Sequence, residues 1–167
     1  VGMSRRGNAR LIKKAEIIQI LERAEKKGFV LQPENTQNPD YICCCCSDCC
    51  EIITTAKKLP SPGQVFTSDY YCVNETDQCT ACGRCVKRCP MDAITLDNAA
   101  VVEKNRCIGC GLCVSTCPEE SLSLVRNKGR KLPPKNKVFL YGRIFKERFG
   151  LFRTAAALIR HVAGGRI

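Results

Sequence analysis

The 167-residue sequence has no tryptophan, a single histidine and only 6% aromatic residues. Its 44% hydrophobic content is inflated by cysteine, so the large side chains that fill an ordinary core are scarce. A domain made of such material needs a staple: a disulfide, a metal or a partner. No nucleophile–base pair, phosphate-cradling loop or dinucleotide fingerprint is present, which argues against the common enzyme classes that depend on them. The glycines of "GRCVKRC" and "GCGLC" sit between cysteines instead. The opening residues, "VGMSRRGNAR", lack the apolar stretch of a secretory leader. A reducing cytoplasm, where disulfides are rare, is therefore the expectation.

Cysteine and positive charge are what the chain has in plenty. There are 15 cysteines, an odd number, and four of them run consecutively from Cys43 to Cys46. Vicinal cysteines are poor disulfide partners for each other, so metal or cluster ligation is the better reading. The formal charge of +11 counts thiols as neutral. Two thiolate-ligated [4Fe–4S] cubes would lower it to about +7, and three to about +5. The remaining surplus favours acidic partners: a redox protein, an anionic lipid surface or nucleic acid.

An internal duplication is the strongest signal. "CTACGRCVKRCPMDAITL" (79–96) aligns without gaps on "CIGCGLCVSTCPEESLSL" (107–124), with eight of eighteen positions identical. Each copy reads C-x-x-C-x-x-C-x-x-x-C-P. Three cysteines at i, i+3 and i+6 wrap a short loop around one face of a cube. Gly83 and Gly111 allow the loop to turn and its N–H groups to approach sulfur. Zinc, the competing metal, prefers C-x-x-C pairs separated by a longer arm.

Over residues 70–126 the sequence resembles the bacterial-type two-[4Fe–4S] ferredoxin domain. The resemblance implies an α+β, ferredoxin-like βαββαβ fold. Strands are expected near Tyr71–Asn74, Ile94–Leu96, Val101–Val102 and Ser121–Val125, with short helices after Gly83 and Gly111. In such domains the fourth cysteine of each run ligates the other cluster. Cluster I would then take Cys79, Cys82, Cys85 and Cys117, and cluster II Cys107, Cys110, Cys113 and Cys89. Ile94 and Leu122, five residues past each Cys-Pro cysteine, are expected to seal the clusters from water. Glu119 and Glu120 are expected either near cluster II, where carboxylates would disfavour reduction, or pointing to solvent with little effect. Cys72 has no evident partner and reads as a small buried hydrophobe on the first strand.

Ahead of this domain, "ARLIKKAEIIQILERAEKK" (9–27) reads as an amphipathic helix with Leu11, Ala15, Ile18, Leu21 and Ala24 on one face. A short strand "FVL", a polar loop, the stretch "YICCCCSDCC" (41–50) and a helix "EIITTAKKL" follow. This arrangement resembles the C-terminal half of a group of anaerobe 4Fe–4S ferredoxin-type proteins, over residues 1 to about 126. Those relatives carry a further N-terminal half, so the chain is expected to be a fragment, a short version or one subunit of a split protein. Where they place a histidine at the end of the strand, this chain has Leu31 or Gln32. Cys43, Cys46 and Cys49 repeat the i, i+3, i+6 spacing, with Cys50 the first choice for a fourth ligand. They make a candidate third iron–sulfur cluster; a thiol or persulfide relay, a metal–thiolate site of another kind and a purely structural role are the alternatives.

The domain boundaries expected are 1–63 for the helix and cysteine-rich segment, 64–126 for the dicluster domain, 127–137 for a basic linker and 138–167 for a C-terminal amphipathic helix. On that helix Tyr141, Ile144, Phe145, Phe149, Phe152, Ala155, Ile159 and Val162 share a face, opposite Arg143, Lys146, Arg153 and Arg160. His161 is expected on the surface. The charge density excludes a membrane span. The helix would dock on a partner or lie at an anionic lipid surface. Nucleic-acid binding is not expected, because no stacking residues are interleaved with the arginines. The whole sequence points to a cytoplasmic electron carrier, acting alone or as a subunit of a larger complex, with peripheral membrane contact as an option. The competing class is the electron-input part of a reductase, with thiol or sulfur chemistry at Cys43–Cys50.

Overall fold

A computed structural model describes residues 7–66, 68–128 and 132–162, with side chains described through residue 150. The described residues of 1–32 and 43–129 form one compact unit, and those of 33–42 and 130–167 a second.

In the first unit, helix α1 (Lys14–Lys26) is shorter than its apolar periodicity suggested. Ala24 is its buried residue, while Ile17, Ile18 and Ile20 remain exposed. Gly28, at φ +89°, ends it in the left-handed conformation that favours glycine. Strand β1 (Val30–Pro33) pairs with β2 (Ile42–Cys45), which carries three of the consecutive cysteines. Helix α2 (Glu51–Lys57) buries Ile53 and Ala56, and the single-turn helix α3 (Pro62–Val65) opens on its proline.

Strand β3 (Tyr70–Asn74) pairs antiparallel with β6 (Leu122–Arg126), Cys72 facing Leu124 in register. Between them lie helix α4 (Arg84–Arg88) and the hairpin of β4 (Ile94–Leu96) and β5 (Ala100–Val102). Asn74 donates its side-chain amide to the Ala100 carbonyl at 2.8 Å, tying the two sheets together. The expected helix after Gly111 is a single turn: Val114 and Ser115 donate to the Gly111 carbonyl, and Cys117 donates to Val114. The first copy supplies Arg-Cys-Val-Lys-Arg at this place, the second Leu-Cys-Val-Ser-Thr, and serine and threonine weaken helix continuation.

The backbone repeats with the sequence. Ala81, Gly83 and Asp92 have φ of 52°, 72° and 49°, and their counterparts Gly109, Gly111 and Glu120 have 65°, 80° and 51°. Each copy therefore makes the same three left-handed turns, although glycine occupies only three of the six positions.

Two arginines beside cluster-motif cysteines bind the ends of the N-terminal helices. Arg88 donates to the carbonyls of Glu25 and Lys26, at the C-terminal end of α1. Arg106 donates to Lys57 (3.0 Å), Leu59 (3.2 Å) and Met91 (2.9 and 3.0 Å). Helix C-termini present unpaired carbonyls and partial negative charge, so a guanidinium fork satisfies both needs.

In the second unit the loop after β1 is held by the proline-bearing segment. Gln37 donates to the Pro133 and Pro134 carbonyls, each at 2.9 Å, and Lys137 pairs with Asp40 at 2.6 Å. Asn136 caps helix α5 (Lys137–Val162) through the N–H groups of Val138 and Phe139. Gly150, the weak point in the middle of the expected C-terminal helix, has φ 77° and ψ 167° and breaks it into two. Tyr141, Ile144, Phe145 and Phe149 are exposed, and the rings of Phe145 and Phe149 stand 5.4 Å apart. The side chains of Phe152, Arg153, Ala155, Ile159, Arg160, His161 and Val162 lie outside the described residues. No helix of the described residues is long and apolar enough to cross a membrane.

Candidate metal centre

Each turn of the duplicated backbone leaves a cavity lined by sulfur. The first is lined by Cys79, Cys82 and Cys85 from the first copy and Cys117 from the second. The second is lined by Cys107, Cys110 and Cys113 from the second copy and Cys89 from the first. The fourth cysteine crosses because β3 and β6 bring the end of the second run beside the start of the first. Leu122 lines the first cavity and Ile94 the second, each buried with 3% exposure.

Glu119 lines the first cavity, not the second. The expectation that placed it near the Cys107 run followed sequence proximity. The crossover moves Cys117 and the residues after it to the other site.

Backbone and side-chain donors point at the sulfurs. Ala93 N–H lies 3.3 Å from Cys89 Sγ, Ala100 N–H 3.5 Å from Cys79 Sγ, and Cys72 N–H 3.4 Å from Cys107 Sγ. Ser121 Oγ, on a buried side chain, is 3.3 Å from Cys117 Sγ. Such donors stabilise negative charge on a thiolate.

The two cavities differ electrostatically. In the first, burial raises Cys85, while the N–H groups of Ala100 and Ala81 hold the Cys79 thiol below its ordinary pKa. Burial pushes Cys117 up, but Ser121 and the N–H groups of Glu119, Ser121 and Leu122 outweigh it and the net shift is downward. In the second, burial raises Cys89 and pushes Cys110 up to about 12. Cys113 is raised by its contact with Cys72 and then by burial. Cys82 of the first cavity is exposed, whereas no cysteine of the second is. The first site is therefore the one nearer water.

Cys72 was expected as a core residue, and it is buried. It also lines the second cavity, with its Sγ 3.5 Å from Cys113 Sγ. Its seven-residue distance from the run hid that role; the strand pairing with β6 creates it.

Four cysteines about each cavity, crossed between copies and served by N–H donors, fit a cubane bound by thiolates. Residues 71–118 match the family model for the 4Fe-4S dicluster domain. The chain carries a 4Fe–4S ferredoxin-type domain. Its motif makes the protein an iron–sulfur, metal-binding protein of the electron-transfer kind. No curated protein matched the sequence.

Outside the ferredoxin-type domain, four of the six opening cysteines form two pairs. Cys46 and Cys49 form a disulfide across the Ser47–Asp48 turn, with Cα atoms 5.7 Å apart. The turn brings together residues three apart, a pairing that the poor geometry of vicinal cysteines does not bear on. Cys45 is pushed up to about 11 by burial and by its hydrogen bond to Cys50. Cys50, which precedes α2, is lowered chiefly by the Ile53 N–H. Cys43 and Cys44 are exposed on β2. Of the four residues considered for a third cluster, the structure joins Cys46 to Cys49 and sets Cys50 against Cys45. Cys46, Asp48 and Cys49 also bring ligand atoms within 4.8 Å of one another.

Proposed function

We propose that the protein carries single electrons between redox partners on two [4Fe–4S] clusters. Cluster I is held by Cys79, Cys82, Cys85 and Cys117, and cluster II by Cys89, Cys107, Cys110 and Cys113. The observation that carries this reading is the pair of cavities, each lined by one crossed set of four cysteines. When bound, the clusters supply one-electron redox chemistry with little structural change. The chain's own residues position the thiolates, donate hydrogen bonds to them and exclude water with Ile94 and Leu122.

Cluster I is the port for exchange with partners, because Cys82 is exposed there. The partner face it meets is acidic, matched to a chain of formal charge +11 whose basic surplus survives cluster binding. The setting is a reducing cytoplasm, with the exposed aromatics of α5 available for docking in a larger complex or at a lipid surface.

The test is anaerobic reconstitution of the full chain with iron and sulfide counts and paramagnetic-resonance spectra. Cys89→Ser is expected to damage the cluster bound by Cys107, Cys110 and Cys113, and Cys117→Ser the one bound by Cys79, Cys82 and Cys85. Loss of the cluster within the same run as the altered cysteine would refute the crossed assignment.

A further inference from the structure

We propose that Cys46 and Cys49 are a redox-active dithiol/disulfide, reduced across a small apolar core from cluster II and able to reduce a disulfide substrate. The inference rests on the electron-transfer reading for its source of electrons.

The placement carries it. One buried core gathers Val30, Ile53, Ala56, Met91, Ile108 and Leu112. Packed against that core are Cys45 and Cys50 from the N-terminal segment, and Cys89, Cys107 and Cys110 from the second cavity. The disulfide lies one residue beyond Cys45 on one side and one residue before Cys50 on the other. It is thus anchored at both ends to the core that cluster II's ligands also touch. Arg106, the residue before Cys107, fastens the end of α2 to the loop after Cys89 and so holds the arrangement together. Water meets the pair at Cys49, which is exposed. A disulfide whose sequence neighbours Cys45 and Cys50 pack on that core, and whose Cys49 meets solvent, is placed to take electrons from within and pass them outward.

The chemistry balances. Reducing the Cys46–Cys49 bond takes two electrons and two protons and gives two thiols. Two iron–sulfur centres of one chain, each a one-electron carrier, supply one pair of electrons; an external low-potential one-electron donor refills them. The exposed Cys49 thiolate then attacks a substrate disulfide, displacing one thiolate and forming a mixed disulfide. Cys46 attacks the Cys49 sulfur, releases the second thiolate and restores the Cys46–Cys49 bond. The two protons held by the dithiol leave with the two product thiols.

The test uses the full-length, cluster-loaded chain under anaerobic conditions. A photochemical one-electron donor reduces it, resonance spectra follow the clusters, and alkylation with mass spectrometry reads Cys46 and Cys49. The expected result is a pair closed in the oxidised protein and alkylated at both residues after cluster reduction. Wild type should take up about two electrons more than Cys49→Ser, a variant at an exposed position chosen to preserve folding. Adding glutathione disulfide should close the pair again and release about two thiols per chain. A pair that stays closed while the cluster signals show full reduction would overturn this inference and leave the electron-transfer reading standing. So would loss of about one cluster's worth of iron from Cys49→Ser, which would mean that the pair ligates a third cluster. Clusters that cannot be reduced at all would remove both readings.

Discussion

Replacing Gly109 with alanine tests the duplicated loop geometry at its tightest point. Gly109 has φ +65°, and a Cβ there would collide with the Tyr70 carbonyl oxygen and Ser68 Oγ. The left-handed conformation alone costs a non-glycine residue about 1–2 kcal/mol. Overpacking against β3 adds about 1–3 kcal/mol, since a backbone carbonyl can yield only by moving the strand. The sum, about 2–5 kcal/mol, corresponds to a melting shift of about 10 °C or more in a domain of this size. The strand that would move contains Cys72, whose N–H meets Cys107 Sγ, so cluster II should be lost before cluster I. The reverse change in the other copy supplies the control. Ala81 occupies the equivalent place at φ 52°. Ala81→Gly relieves strain but frees the unfolded chain, two effects of about 1 kcal/mol and opposite sign, so it should be nearly neutral. The assay is thermal loss of visible cluster absorbance in the loaded protein, with iron counted before heating. A Gly109→Ala protein that keeps full iron and melts within about 2 °C of wild type would refute the reasoning.

Cys72→Ala removes a buried sulfur that accepts from Cys113, gives its own S–H to the Val73 carbonyl and disfavours negative charge on Cys113; the midpoint of cluster II should rise by about 20–40 mV, the size of one weak hydrogen bond, with cluster I unmoved in a redox titration. Arg106→Leu removes four hydrogen bonds to the carbonyls of Lys57, Leu59 and Met91, and should cost about 2–4 kcal/mol in denaturant unfolding of the loaded chain; an unchanged midpoint would show the clamp to be dispensable. Iron uptake by the metal-free protein should strengthen as pH rises, more steeply at the second cavity. Cys89, Cys110 and Cys113 have raised pKa values there, so they hold their protons at neutral pH and must release them to bind iron, whereas in the first cavity Cys85 is raised but Cys79 and Cys117 are shifted down. Equal pH dependence of the two resonance signals during reconstitution would contradict this.

The sequence by itself determined the chemistry of the central domain. Two gapless copies of one cysteine run specify soft, thiolate-bound metal and a turning loop, and both can be read along the chain because they are local. Strands β3 to β6 lie within a few residues of the places that the resemblance implied. The helix ends were less legible: α1 begins later than its apolar residues do, and Gly150 interrupts α5 despite favourable periodicity on both sides. Tertiary structure alone decided the placements that depend on residues far apart in sequence. Strand pairing sends Glu119 to the first cavity and brings Cys72 to the second. Arg88 and Arg106 look like ordinary surface charge until helix ends meet them. The run Cys43–Cys50 shows abundance in the sequence but not partnership. A turn between Cys46 and Cys49, and a core beneath Cys45 and Cys50, sort those thiols, and neither is encoded by spacing alone.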